Sequence, residues 1–304
     1  MTVWLKILLS FSALLMLFGV IAACSPVRTI NALTPGSAYV KTADLAYGSD
    51  PRQKLDIYAP AHAPSGSSVP VVVFFYGGTW NSGQRADYLF VAEALTSRGI
   101  LCVLADYRLY PQVRYPAFLQ DGALAIAYVK KEISRYGGDP SRLFVMGHSA
   151  GAYNAAMLAL DPRWLAEVGM QPSIFRGLIG LAGPYDFIPI TNVDARPVFF
   201  YPDTPRDSQP IHHVSASAPP SLLIAPLEDT LVNPVRNTTG LANKLRAAGV
   251  PVQEFHFDHT NHVSLIGSMA WPLRALAPTL DTVTQFVLSD GGRNPAIAVT
   301  PAAP

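Results

Sequence analysis

Apolar runs of strand length alternate along the chain with stretches in which hydrophobic residues recur at helical spacing. The run 71–75 is continuously apolar, a pattern typical of a strand buried on both faces of a parallel sheet. The run 54–58 alternates instead, as expected of an edge strand. Further strands are predicted at 45–47, 100–105, 143–146, 178–181, 221–225 and 252–257, and helices at 86–98, 117–135, 150–158, 234–248 and 273–288.

The repeated strand–helix–strand order implies right-handed crossovers and a mostly parallel sheet. We therefore predict an α/β protein, with a central sheet flanked by helices in one domain over residues 43–288. Residues 137–140 are expected to form a turn before the strand at 143–146. The segment 187–217 lacks periodicity and is predicted to be a short, loop-rich cap. The polar tail 289–304 is expected to be disordered.

Residues 1–23 have the features of a secretory signal peptide, with one basic side chain, an apolar core and small residues at the end. The tetrapeptide that ends at Cys24 is similar to the bacterial lipobox, which implies lipidation of that cysteine. We expect a lipoprotein held at the membrane through Cys24, on the periplasmic face of the outer membrane. An uncleaved anchor or plain secretion is the alternative. Residues 24–42 are predicted to be a tether.

The charge balance excludes one class of partner. The 304 residues are 50% hydrophobic and 14% charged, with a formal net charge of +1 and no basic block. Such a chain can bury a sizeable core, and it is not expected to bind nucleic acid. Apart from Cys24, Cys102 is the only cysteine, and its apolar strand makes it a packing residue. No metal-ligand spacing is present, and we expect no metal or cofactor.

The main candidate for chemistry is the segment Gly147-His-Ser-Ala-Gly151, which lies between an apolar strand and an alanine-rich helical run. This G-x-S-x-G pattern is typical of a nucleophile elbow, a sharp turn that presents Ser149 above the sheet. The two glycines are needed because strand and helix approach too closely for a Cβ. The turn also directs the first amides of the helix, beginning with Ala150, toward the atom that the hydroxyl attacks.

A serine nucleophile needs a base and a carboxylate, and on this topology they follow it in the order acid, then histidine. Asp229 comes just after the strand at 221–225 and is the predicted acid, with Glu228 as the alternative. His262 is the predicted base because it precedes an apolar helical turn, and His259 is the alternative. Asp186 is a weaker candidate, since it comes one strand too early.

Five segments together resemble the α/β-hydrolase carboxylesterases. They are 76–80 (YGGTW), 106–111 (DYRLYP), 136–142 (YGGDPSR), 147–151 (GHSAG) and 218–220 (APP). The nearest branches are those of hormone-sensitive lipase and feruloyl esterase, with kynurenine formamidase and prenylcysteine methylesterase as relatives. The resemblance covers about residues 45–288 and implies an α/β-hydrolase fold.

Roles carried over from this resemblance make Ser149 the nucleophile, Asp229 the acid and His262 the base. The amides of Gly78, Thr79 and Ala150 correspond to the oxyanion hole. The chain departs from the family at Tyr76, where histidine is usual, at Thr79, where Gly or Ala is usual, and at 225–226, where His-Gly is usual. We expect Trp80 and Tyr76 to contact the substrate. Asp106, Arg108 and Asp121 are expected to be buried structural partners.

The expected function is hydrolysis of small to medium acyl or aryl esters through an acyl-enzyme, by a Ser-His-Asp triad without a cofactor. An amide hydrolase of the formamidase type on the same machinery is the alternative. A non-enzymatic surface protein on this scaffold is the remaining possibility, although neither the serine nor the histidine is missing. Aromatic residues of the cap, at 199–201, favour an apolar acyl or aryl group. The sequence does not indicate an oligomeric state.

Overall fold

The computed structural model describes residues 26–62 and 68–294. The predicted signal peptide, Cys24 and residues 295–304 of the predicted tail lie outside these ranges. In the described part, eight strands form one sheet with the order β1-β2-β4-β3-β5-β6-β7-β8. The strands are β1 (Tyr39–Ala46), β2 (Lys54–Pro60), β3 (Val69–Phe75), β4 (Leu101–Ala105), β5 (Gly138–His148), β6 (Phe175–Leu181), β7 (Ser221–Pro226) and β8 (Val252–Phe257).

Eight α-helices are present in the described residues, three more than the sequence pattern predicts. They are α1 (Pro26–Ala32), α2 (Leu89–Thr96), α3 (Ala117–Glu132), α4 (Ala150–Leu160), α5 (Pro162–Ala166), α6 (Gly240–Ala247), α7 (His262–Gly267) and α8 (Thr279–Leu288). Helix α4 packs on β3, β5 and β6, while α2 packs on β2, β4 and α8. No helix among residues 26–62 and 68–294 combines the length and hydropathy needed to cross a bilayer.

Strands β3 to β8 run parallel, β2 pairs antiparallel with β4, and β1 pairs antiparallel with β2. The side chains of β4 and of the centre of β3 are fully buried, because helices cover both faces of the sheet there. The carboxyl ends of the parallel strands meet at one edge, where loops can bring distant residues together. This mostly parallel sheet confirms the predicted fold class.

The N-terminal part differs from the prediction. Residues 26–32 form helix α1 and residues 39–46 form strand β1, so most of the expected tether is folded onto the domain. Strand β1 is therefore the edge, and β2 lies between β1 and β4. The sequence of β2 alternates between polar and apolar residues, but its polar residue Asp56 is buried in an ion cluster and does not face solvent.

Smaller differences concern the ends of elements. Strand β5 already begins at Gly138, so the turn predicted at 137–140 is reduced to Gly137, which has a φ of 84°. A π-helical turn, Val235–Thr239, leads into α6. The predicted closing helix is divided into a 3-10 segment, Trp271–Leu276, and α8. Residues 289–294 of the predicted tail fold back on the domain, where the Asn294 amide donates to the Ser289 carbonyl.

A cluster of buried charges connects the start of the sheet to the loop after β3. The Arg85 guanidinium bonds to the carboxylates of Asp44, Asp56 and Asp106, and the Arg85 amide donates to Asp106 Oδ1 at 2.7 Å. Asp56 and Asp106 are buried, so each needs a cationic partner. Burial acts to raise the pKa of Asp56, but hydrogen bonds from Arg85, the Asp44 amide and Lys41 hold that pKa below its ordinary value.

Arg85→Ala is expected to lower the free energy of unfolding by about 3–5 kcal/mol, because it leaves two buried carboxylates without their main partner. Arg98→Ala is the matched control, since Arg98 pairs with Asp281 on the surface, where such pairs contribute about 0–1 kcal/mol. Urea unfolding of both variants at neutral pH measures the difference. Equal losses for the two variants would contradict the structural role of the Arg85 cluster.

Candidate active site

Ser149 occupies a strained turn between β5 and α4. Its φ of 54° and ψ of −123° lie outside the regions that ordinary L-residues prefer. A Cβ at Gly151 would lie 2.0 Å from the Phe75 carbonyl oxygen, and one at Gly147 would lie 2.1 Å from the Gly151 carbonyl oxygen. Glycine is therefore required at both positions, as the sequence pattern predicts. The turn lifts the Ser149 hydroxyl above the carboxyl end of the sheet.

Three residues from distant parts of the chain form a continuous hydrogen-bonded path at this edge. Ser149 Oγ lies 2.8 Å from His262 Nε2, and His262 Nδ1 lies 2.7 Å from Asp229 Oδ2. Both distances are those of direct hydrogen bonds. In the tautomer that satisfies both bonds, Nδ1–H donates to the Asp229 carboxylate and Nε2 accepts from the Ser149 hydroxyl.

The position of His262 is set by the start of its helix. His262 is the first residue of α7, and Asn261 caps that helix through a reciprocal capping box with Ser264. This cap sets the start of the helix and therefore the position of the imidazole. The alternative base, His259, lies on the surface with a φ of 56°, and its contact is with the equally exposed Asp258. The structure therefore brings His262, and not His259, to the serine.

Asp229 is also held by its own loop. Its Oδ1 accepts from the amides of Leu231 (2.8 Å) and Val232 (3.0 Å), which leaves Oδ2 for the imidazole. Burial acts to raise the pKa of Asp229, but the bonds from His262, Val232 and Leu231 hold that pKa below its ordinary value. The carboxylate is therefore ionised throughout the neutral range.

The other two candidate acids lie away from this path. Glu228 is exposed to solvent. Asp186 pairs with Arg236, at 3.0 Å and 3.1 Å. Among the three candidate acids of the described chain, Asp229 is the one hydrogen-bonded to His262.

His148 is a residue of this site that the sequence reasoning did not identify. Its Nε2–H donates to the backbone carbonyl of His262 at 2.9 Å, and the two rings lie 5.1 Å apart. The Nδ1 atom has no hydrogen-bond partner within the described residues. Burial, together with the neighbouring His262, lowers the pKa of His148 to about 3, so the ring is neutral and acts as a fixed donor. Its place inside the G-x-S-x-G motif was the available signal.

The loop after β3 lies directly beside the serine. A Cβ at Gly77 would come within 3.0 Å of Ser149 Cβ, and one at Gly78, whose φ is 128°, within 2.3 Å of the Ser82 carbonyl oxygen. Thr79 and Trp80 also have positive φ values, 52° and 57°. Gly78, Thr79 and Ala150 all line the cavity that contains Ser149. Their amides donate to no acceptor among the described residues, so they can bind an oxygen of a ligand.

Tyr76 does not have the predicted role of contacting substrate. Its ring is buried and stacked between Tyr107 (4.7 Å) and Tyr88 (5.9 Å), and its hydroxyl accepts from Arg52 at 2.7 Å. Because strand β3 directs this side chain into the core, it is absent from the cavity wall. Tyr76 instead supports the loop that carries Gly78 and Thr79.

Trp80 lines the cavity, and its contact with a substrate stays a prediction. Its indole N–H donates to Asn154 Oδ1 at 3.0 Å, and its ring packs against Phe187, Phe199 and Tyr153. Among the cap aromatics, Phe199 is buried behind Trp80. Phe200 and Tyr201 lie on the surface, over Arg114 and Arg196. These two do not form the wall of the cavity, so the expectation from composition was wrong for them.

The cavity over Ser149 has a volume of about 530 Å³. The segment 77–90, the cap and α7 contribute most of its lining, which also includes Val27 and Ile30 from α1. Within residues 26–62 and 68–294, no group of three or more His, Cys, Asp or Glu side chains is arranged to hold a metal ion. Burial raises the pKa of the Cys102 thiol, which therefore stays protonated in the core.

Comparison with known proteins gives consistent relatives. A family model described as BD-FAE matches residues 55–245. Esterase LipC of Mycobacterium tuberculosis is 32% identical over 69% of this chain and 56% of its own length. The probable isoprenylcysteine alpha-carbonyl methylesterase ICMEL1 of Arabidopsis thaliana is 27% identical over 84% of this chain and 57% of its own length. The chain thus spans a little over half of each relative.

Solved structures share the fold. An inhibited esterase B from Lactobacillus rhamnosis superposes with a TM-score of 0.75 at 19% identity, over 93% of this chain and 98% of that one. Esterase 2 of Thermogutta terrifontis, phosphoramylated by tabun, superposes with a TM-score of 0.68 at 22% identity, over 84% and 97%. At these identities the likeness concerns the architecture of the chain.

In His148→Asn, the free energy of unfolding is expected to fall less steeply as the pH is lowered. The folded protein holds the pKa of His148 near 3, whereas the unfolded chain protonates it near its ordinary 6.5. The unfolded state therefore binds one more proton between those values, and stability falls as the pH is lowered from 6.5 toward 3. This group contributes up to about 1.4 kcal/mol per pH unit in that window.

Urea unfolding between pH 7 and pH 4 measures this slope. The exposed His259→Asn variant serves as the control and should keep the slope of the unchanged protein. Loss of the bond to the His262 carbonyl changes the stability by the same amount at every pH, so the slope reports the titration of the ring. An unchanged slope in His148→Asn would show that the buried ring does not titrate as described.

Proposed function

The chain belongs to the BD-FAE family and has the α/β-hydrolase fold, and on that premise we propose that it is a serine carboxylester hydrolase. The observation that supports this proposal is the path from Ser149 Oγ through His262 to Asp229, at 2.8 Å and 2.7 Å, which opens into an apolar cavity. Its relatives agree with this reaction class, since LipC is named an esterase and ICMEL1 a probable methylesterase.

In the acylation step, the Ser149 oxygen attacks the ester carbonyl carbon while its proton passes to His262 Nε2. The carboxylate of Asp229 stabilises the imidazolium through the bond to Nδ1. Negative charge develops on the carbonyl oxygen, where the amides of Gly78, Thr79 and Ala150 are available to donate. The tetrahedral intermediate then breaks its bond to the leaving oxygen, which takes the proton from His262 and departs as an alcohol.

Deacylation repeats these steps with water. His262 accepts a proton from a water molecule, whose oxygen attacks the acyl carbon bound to Ser149. The second tetrahedral intermediate uses the same amides, and the Ser149 oxygen recovers its proton from Nε2 as the acid leaves. Neutral His148 holds the His262 carbonyl throughout, so the ring that transfers the proton returns to one position.

We infer a substrate with a small to medium apolar acyl or aryl group. The cavity of about 530 Å³ is at the size of typical small-molecule sites, and its walls include Trp80, Phe187 and Ile190. Apolar side chains make up much of these walls and favour a hydrocarbon group, while Asp87 and Asn192 are among the polar residues that also line the cavity. Phe187 stacks on Trp80 at 6.1 Å and narrows the space available to a chain.

We also propose that the protein is a lipoprotein attached to a membrane outside the cytoplasm. The support is the sequence that ends at Cys24, which follows an apolar segment of signal-peptide type. Metabolic labelling with an alkyne fatty acid tests this proposal, with Cys24→Ala as the negative control. Labelling that persists in Cys24→Ala would contradict it.

Replacement of the proposed nucleophile or base is expected to abolish turnover. Ser149→Ala and His262→Gln should each lower kcat on p-nitrophenyl butyrate by at least ~10³-fold, since each step needs both groups. The controls are Ser173→Ala, at an exposed serine, and His259→Gln, at the exposed histidine. These controls should keep the wild-type rate. Residual activity of Ser149→Ala at the wild-type level would refute the mechanism.

Enlarging the cavity is expected to change which acyl chain is preferred. Phe187→Ala should raise the ratio of kcat/KM for p-nitrophenyl decanoate to that for the butyrate by roughly tenfold, because a wall residue is removed. Phe255→Ala, at an exposed position on β8 that lines no part of this cavity, is the control. A ratio that is unchanged in Phe187→Ala would place the acyl group elsewhere.

A further inference from the structure

Helix α1 is part of the active-site wall. Val27 and Ile30 line the cavity that contains Ser149. The helix is attached to the domain through Asn31, whose side chain donates to the Ala86 carbonyl at 2.9 Å and accepts from the Phe90 amide at 3.3 Å. The segment that precedes the domain is therefore fixed at the mouth of the cavity, where a flexible tether was expected.

This attachment limits the distance between Cys24 and the cavity. Three residue steps separate Cys24 from Val27, and an extended chain spans at most about 3.6 Å per residue, or roughly 11 Å in all. A lipid on Cys24 would enter a bilayer within that distance of the cavity wall. The domain could not lie far from the membrane unless α1 detached from it.

Exposed apolar residues lie around the opening, or rim, of the cavity. Three that line it come from separate elements, namely Val27 of α1 (37%), Leu231 of the acid loop (66%) and Val263 of α7 (64%), and the exposed polar residues of the lining are Ser82, Thr191 and Asn192. Val193 (65% exposed) lies beside the lining residues Thr191 and Asn192. Exposed apolar residues around one opening are typical of a surface that contacts lipid or a partner.

We propose that this rim docks on the lipid surface that holds Cys24, and that the substrates are esters dissolved in that surface. The inference rests on the proposed esterase activity and on the proposed anchor. Docking lets an apolar ester pass from the bilayer into the cavity without crossing water, which it enters unfavourably. The short connection keeps the mouth against the membrane, and the apolar rim removes the layer of water between them.

The first experiment lengthens the connection. A flexible Gly/Ser segment of about 20 residues, inserted between Ser25 and Pro26, allows a root-mean-square separation of about 25 Å. The full-length, membrane-attached protein is assayed in phosphatidylcholine vesicles that contain 4-methylumbelliferyl decanoate, and separately on water-soluble p-nitrophenyl butyrate. We expect the vesicle rate to fall at least fivefold and the soluble rate to change less than twofold, since the active site itself is untouched.

The second experiment changes the rim and leaves the connection intact. Val193→Asp places a charge beside the mouth and should lower the vesicle rate at least fivefold without changing the soluble rate. Val40→Asp is the matched control, because Val40 is 62% exposed on the edge strand β1 and lines no part of the cavity. It should change neither rate. Equal vesicle rates for the two valine variants would overturn the docking proposal.

The outcomes separate the three proposals from one another. Loss of both rates in Ser149→Ala tests the esterase alone, and fatty-acid labelling tests the anchor alone. A protein that hydrolyses the butyrate but leaves the vesicle ester intact keeps the esterase and overturns the docking. The docking proposal is also overturned if the variant with the inserted Gly/Ser segment matches the wild type on both substrates. If the rim instead bound a partner protein, the purified vesicle system would show no dependence on Val193, which also overturns it.

Discussion

The close approach of strand β5 and helix α4 at Ser149 is the constraint on which the rest of the site depends. A turn this tight requires glycine at 147 and 151 and holds Ser149 in a conformation that costs about 1–3 kcal/mol. The strand pairs with β3 on one side and β6 on the other, so the sheet keeps the turn from relaxing. The hydroxyl and the first amides of α4 are thereby held in one fixed relation.

The other parts of the site are supported in similar ways, each by a separate set of bonds. The acid loop is fixed by amides that donate to Asp229, and the base by the cap at Asn261 and the donor at His148. The loop of Gly78 and Thr79 stands on the buried Tyr76, to which Arg52 is bonded. Because of these supports, the polar reaction centre keeps its geometry at the edge of an apolar core.

Much of this arrangement was predictable, because the strongest signals are local. Apolar runs such as 71–75 predict the buried strands, and G-x-S-x-G predicts the tight turn from the need for glycine. The order of Asp229 and His262 after Ser149 follows from the topology, and the structure brings these three together. The tight turn also indicates the amide of Ala150, and the family resemblance added those of Gly78 and Thr79, which a glycine pattern alone indicates only weakly.

The rest depends on tertiary contacts that leave no local pattern. Helix α1 has few residues, and its place is set by the bonds of Asn31 to a segment more than fifty positions away. Asp56 makes β2 alternate like an edge strand, although its carboxylate is buried against Arg85. Tyr76 and Phe200 are both aromatic residues of segments that were expected to border the site. The Tyr76 side chain faces the core, whereas that of Phe200 faces solvent. The direction of a side chain was the quantity that the sequence pattern could not supply.

One serine of this protein is expected to be unusually reactive. Treatment of the purified protein with a fluorophosphonate, followed by proteolysis and mass spectrometry, should find a single adduct, on Ser149, and the rate of labelling should fall strongly in His262→Gln. Labelling of another serine, or ester hydrolysis that continues in protein whose Ser149 is fully labelled, would contradict the proton path from Ser149 through His262 to Asp229.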